Sequence, residues 1–276
     1  MTWRVLRTIV VKDLKEVRQN RGAWIPGVLV PLIFLVVLPL AIILLPDALN
    51  APMDDLLSDR GPAATMMRNA PPTLASELAN LDGQQTWVVL MTGFLLAPML
   101  LILPLMFSSI VGANSFVGER ERKTLEALLY TPASDGEIFV GKVLASVLPA
   151  IALAWLSFAA YAVVVNAASW PVMGRAWFPP AAWWPLMLWV TPAVATLGTA
   201  ATVLISSRVN TFMEANQLSG SLVLLVLALV AGQATGVLYL GVVTALALGA
   251  VVWAIDAVLL WLCVRTFTRG ELIARV

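Results

Sequence analysis

The sequence predicts an all-α protein that crosses a membrane six times. Three observations carry that expectation. Hydrophobic residues fill 60% of the 276 positions and charged residues only 12%, whereas a soluble domain carries roughly 25% charged residues. Apolar runs of roughly 20 residues, the length a helix needs to cross the hydrocarbon core, recur along the chain. Basic residues collect in alternate connections between those runs. The runs fall at about 24–46, 87–117, 143–167, 185–206, 218–238 and 242–264, and together they make residues 1–276 one transmembrane domain.

Composition also excludes several functions. A net charge of +1 gives no bulk attraction for nucleic acid. There is no His, and the single Cys, Cys263, lies in an apolar run. A disulfide framework and a His- or Cys-rich metal site are therefore excluded. The usual neutral-pH acid–base residue is missing as well.

Residues 1–23 read as an amphipathic helix. Trp3, Leu6, Val10, Leu14 and Val17 recur at helical steps, while Arg4, Arg7, Lys12, Lys15 and Arg18 lie largely elsewhere. Such a helix beside a span lies flat in the membrane interface; the plainer alternative is a charged flank. The stretch is too long and too polar to be a signal peptide. The 47–86 connection is long and acidic, with Asp47, Asp54, Asp55, Asp59, Glu77 and Asp82. Its "DDLLSD" resembles aspartate-rich motifs that hold Mg²⁺ and diphosphate, but no second acidic cluster is there to converge on it. A solvated loop is the expectation. Pro98 and Pro104 in the second run predict a kinked or broken helix.

The stretch 118–142, "GERERKTLEALLYTPASDGEIFVGK", splits into two helices. In the first, Glu119, Arg122, Lys123 and Glu126 stand at ion-pair spacings, and Leu125, Leu128 and Leu129 make an apolar face. Pro132 ends it near Tyr130. Ser134 and Glu137 then form a capping box that opens the second helix. "GEIFVGKV" has the glycine spacing and lysine of a phosphate-binding loop, but its residues fall inside that helix. Glu137 would face the phosphates, and Val143 replaces the Mg²⁺-binding hydroxyl. The chain is therefore not expected to bind or hydrolyse ATP, or to be an enzyme.

With the N-terminus in the cytoplasm, 14 of the 17 basic residues lie in cytoplasmic segments, and only Arg60, Arg68 and Arg175 lie outside. Both termini are then cytoplasmic. Trp87, Trp170, Trp177, Trp183 and Trp184 mark the outer interface and Trp24 the inner one. "GQATGVLYLG" (232–241) reads as a turn or a short re-entrant piece, and Gly232 and Gly236 also fit a helix-packing spacing. Asp256 is the titratable group inside a run. It lies nine residues before Arg265, about 13 Å deep at about 1.5 Å per residue, where facing lipid is costly. Asn114, Thr196, Thr199 and Thr202 are its candidate hydrogen-bond partners. It is either a structural hydrogen bond or a polar point on a transport path.

The 118–142 stretch resembles the permease subunits of ABC-2 type transporters. The residues that carry the resemblance are Gly118-Glu119-Arg120-Glu121-Arg122, Thr124-Leu125-Glu126, Leu128-Leu129, Thr131-Pro132, Glu137-Ile138 and Gly141-Lys142; Lys123 stands where the family usually has Gly. The resemblance implies an exporter subunit of the bacterial inner membrane. Glu119, Arg120, Arg122, Lys123, Thr124, Leu125, Glu126, Leu128 and Leu129 would form the coupling helix that docks on a separate ATP-binding subunit. ATP and Mg²⁺ would be bound by that subunit. A second permease copy would join through spans one and five. The apolar spans suit a hydrophobic or amphipathic cargo and equally suit lipid contact. A secondary transporter working alone, using Asp256, is the alternative; an intramembrane enzyme would need a partner for that lone acid.

Overall fold

The computed structural model describes residues 8, 10–12, 15, 33–48, 52–58, 63–122, 134–209 and 211–266. All-helical architecture is observed, with no strand among the described residues. Most of the expected 1–23 helix, the start of the first run, and Lys123, Thr124, Leu125, Glu126, Leu128 and Leu129 lie outside the described residues.

The helices are α1 (Leu38–Ala48), α2 (Met53–Leu57), α3 (Ala64–Arg68), α4 (Pro72–Leu78), α5 (Gly83–Glu121), α6 (Asp135–Met173), α7 (Trp183–Ser206), α8 (Phe212–Ala234) and α9 (Val242–Thr266). Five of them, α5 to α9, are long and apolar enough to cross a membrane. The first expected run is represented by a shorter apolar helix, Leu35–Pro46.

Local signals start these helices where the chain chemistry places them. Ser134 accepts from the Glu137 amide and Glu137 reaches back to Ser134, so the predicted capping box opens α6. Asp82 and Gln85 form a second box at the start of α5. Gly174 closes α6 with a φ of 63°, a conformation glycine adopts without a Cβ penalty.

α5 is interrupted, as its prolines predict. The backbone widens over Val89–Leu95 and tightens over Pro98–Leu101 before regular helix resumes at Ile102. Pro98 opens the tight turn, and Pro104 sits in the first turn of the resumed helix, where a missing N–H costs least. The wide turn loosens the carbonyls of Thr92 and Gly93. Tyr161 Oη donates to the first at 2.7 Å and Trp183 Nε1 to the second at 2.7 Å. Membrane-embedded backbone needs such internal partners.

α5 is the hub of the bundle. The buried share of its most apolar stretch is 89%, against 61% for α7, 33% for α6 and 17% for α8 and α9. Burial in lipid gives helices no hydrophobic reason to associate, so close backbone approach must do it. α5 and α7 meet this way: a Cβ on Gly198 would lie 2.4 Å from Ser108 Oγ and 2.8 Å from Leu105 O. Gly112 of α5 lies in ordinary contact range of Thr202.

The 47–86 connection differs from the solvated loop expected. α2, α3 and α4 fold over the start of α5, and Ala63, Met66 and Leu74 are buried against Trp87, Val88, Met91 and Phe94. The period of this apolar face is split over three short helices, so the acidic composition hid it. This cap also holds the turn after α8. Thr65 Oγ1 donates to Ala234 O at 2.7 Å and Asn69 Nδ2 to Thr235 O at 3.1 Å. Gly236 has a φ of 69° and lies 2.6 Å, measured from a built Cβ, from Thr65 O. Of "GQATGVLYLG", residues 232–234 end α8 and 235–241 are a turn, which Gly232 closes by accepting from the Leu238 amide at 2.9 Å. Tyr239 rests in the same place, its ring 5.3 Å from that of Phe94. Burial, with Glu77 adding, pushes its phenol up to about 12.

Candidate functional site

At the end of α5 opposite the cap, four consecutive residues each hold a different partner. Glu119 is 0% exposed and receives Lys142 Nζ of α6 at 2.7 Å on one oxygen, while Lys12 of the N-terminal segment donates to the other. Arg120 donates to the carbonyl of Val209, after α7. Glu121 accepts from the Phe212 amide at 2.8 Å, which caps α8 together with Thr211. Arg122 turns back on α5 itself and donates to Asn114 Oδ1 at 3.2 Å. Gly118 leaves room for that return, because a Cβ there would lie 3.2 Å from Asn114 Oδ1 and 3.4 Å from Arg122 Nη1.

The charges in this clasp are matched by their surroundings. Lys142, also 0% exposed, donates a second hydrogen bond to Ser115 O at 2.6 Å and lies 5.5 Å from the centre of the Phe116 ring. A buried charge is tolerated when paired and hydrogen-bonded in this manner. Lys142 is the lysine of the phosphate-loop look-alike. It lies inside α6 and its ammonium is engaged by a carboxylate.

Of the residues singled out from the sequence, Glu119, Arg120, Arg122 and Asn114 come together here. Asn114 binds Arg122 and not Asp256. Lys12, Glu121 and Lys142 belong to the clasp and were not singled out as site residues. For Lys142 a signal existed: a lysine flanked by apolar residues within a helix needs a buried partner, and Glu119 lies one connection away.

Asp256 stands apart. Gly249, Asp256 and Cys263 follow at seven-residue steps and share one face of α9. Gly249 lies against Trp189, and Cys263 Sγ donates to Ala200 O at 3.4 Å. That face therefore packs on α7, and Asp256 is 0% exposed. The hydrogen bonds expected from the sequence are not formed. Thr196, Thr199 and Thr202 donate to carbonyls of their own helix at 2.9, 3.3 and 2.7 Å. Neither carboxylate oxygen of Asp256 has a hydrogen-bond partner among the described residues, and neither does the nearby Trp253 Nε1. Among the described residues, no group of three His, Cys, Asp or Glu side chains is placed to hold a metal ion.

The family model of ABC-2 family transporter proteins matches residues 7–264. No curated protein matches the chain, and no solved structure does.

Proposed function

This chain belongs to the ABC-2 transporter family, and from that premise we propose that it is the permease subunit of an ATP-binding cassette exporter. It would form the translocation path in a bacterial inner membrane, with both termini cytoplasmic. A separate subunit would bind ATP and Mg²⁺ and dock on the 119–130 region. Two permease copies would complete the transporter. The chain itself would do no chemistry. The observation that supports this best is the clasp at Glu119–Arg122: the described start of the segment expected to dock, which ends α5, is tied to α6, α8 and the N-terminal segment at once. The alternate placement of basic residues supports the orientation.

Purification of the tagged full-length chain from its native membrane tests the reading. An ATP-hydrolysing subunit should copurify, and ATPase activity should follow the complex. A chain that purifies without such a subunit, yet transports in a liposome under an ion gradient, would overturn it.

The second reading, an ion-coupled transporter working alone, is favoured by one observation, the buried and unpartnered Asp256. Intramembrane carboxylates of that kind commonly bind protons or ions. Asp256→Asn should leave ATP-driven transport intact under the first reading and abolish gradient-driven transport under the second.

A further inference from the structure

Given the permease reading above, we infer that Lys12 and Lys142, meeting on the buried Glu119 carboxylate, form an ionic tie that makes α5, α6 and the N-terminal segment move as one body. Lys12 and Lys142 are positioning residues for transport. Residues 123–133 run between Arg122, at the end of α5, and Ser134, at the start of α6. Glu119 and Lys142 stand on either side of that segment, 23 positions apart, and their side chains meet. A force on the segment reaches each helix through the chain, and the contact keeps the two helix ends from parting under it. Lys12 brings in the third element, because it binds the other oxygen of the same carboxylate.

Stability alone does not account for the tie. Glu119 and Lys142 are both 0% exposed. The desolvation of such a pair offsets much of its attraction, and apolar residues of similar volume often replace one without loss. Mechanical linkage does account for it. Lipid tails compete for apolar helix faces, so an apolar contact near the membrane resists separation only through its close packing. A carboxylate held from both oxygens resists separation too, because charge-assisted hydrogen bonds are short and directional. Lys142 cannot swing away freely, since Ser115 O holds it at 2.6 Å. Full burial also keeps Glu119 and Lys142 from touching a docking subunit directly, so they act behind the docking surface.

The test uses the full-length chain copurified with its ATPase subunit in lipid nanodiscs. Cysteines replace Lys15 and Val264, both exposed and the second on α9 outside the clasp, and carry spin labels; the native Cys263 is 0% exposed. Their distance is measured by pulsed EPR without nucleotide and with ATP plus vanadate. In the otherwise native chain the distance should shift between the two states. In Glu119→Gln/Lys142→Met, which removes both charges of the pair, the shift should be lost while permease yield and copurified ATPase stay unchanged. Lys142→Arg should keep the shift. Lys12→Met removes a partly exposed side chain and leaves the Glu119–Lys142 pair in place, so native permease yield is expected; it should also lose the shift at position 15. A full shift in Lys12→Met or in the folded double variant overturns the tie, as does a missing shift in the native chain with its ATPase bound. Failure of any ATPase to copurify overturns the permease reading instead.

Discussion

Where α5 ends, its neighbours are joined by charged side chains; where it begins, they are joined by apolar surface. At the first end Glu119, Arg120 and Glu121 reach the N-terminal segment, α6, the connection after α7 and the start of α8 through single polar contacts. At the other, Leu74, Met66, Trp87 and Phe94 make one continuous apolar contact, trimmed by the hydrogen bonds of Thr65 and Asn69. Point ties of opposite charge fix the relative position of helices and break all at once. A spread apolar contact seals and loses strength residue by residue. On the proposed reading, the charged end would transmit movement while the apolar end covers the bundle.

The largest expected effect comes from breaking one tie from one side. Glu119→Leu leaves the fully buried Lys142 ammonium without its counter-charge, hydrogen-bonded to Ser115 O alone, at a cost of about 3–5 kcal/mol. Folded permease recovered from membranes should drop sharply, while Glu119→Gln/Lys142→Met should recover near the native yield. Equal losses in the single and double variants would show that packing, not charge, carries that end. At the capped end, Leu74→Ala removes a side chain 2% exposed and should cost about 2–5 kcal/mol locally. Protease cleavage within 47–86 should speed up while the yield of folded permease changes little. A collapse of the whole protein would mean that the cap is part of the core.

A smaller effect is expected from pH at the cap. The folded state holds the Tyr239 phenol proton to about 12, and the unfolded chain releases it near 10. The contribution is therefore full below about pH 10 and is lost as pH rises through about 12. Thermal unfolding of the native chain should weaken over that window, and Tyr239→Phe should remove Tyr239's share of the slope. An unchanged slope would place the titration elsewhere.

The sequence made the apolar runs legible because hydropathy over twenty residues is a long signal. It also marked Ser134 and Glu137, since a capping box is a local pattern with a local cause. Pro98 betrayed the broken course of α5 for the same reason. The cap was hidden because each of its helices is five to seven residues long, too short for a periodic face to stand out among acidic residues. Glu119 was singled out by ion-pair spacing and by resemblance, but its pairing with Lys142 was not expected, because an ion pair between positions 23 apart leaves no trace in local pattern. Asp256 was expected to hydrogen-bond Asn114 or the threonines of α7, and it bonds none of them. The threonines on α7 satisfy themselves on their own backbone, a choice that short polar side chains in helices often make.

The central claim is that the charged end receives the drive of a separate ATPase and the capped end does not. A photo-crosslinker attached through cysteine at Lys123, and in a second variant at the exposed Ala75 of α4, tests it in native membranes. The account predicts an adduct with an ATP-binding subunit from position 123 and none from position 75. An adduct from position 75, with none from position 123, would contradict it.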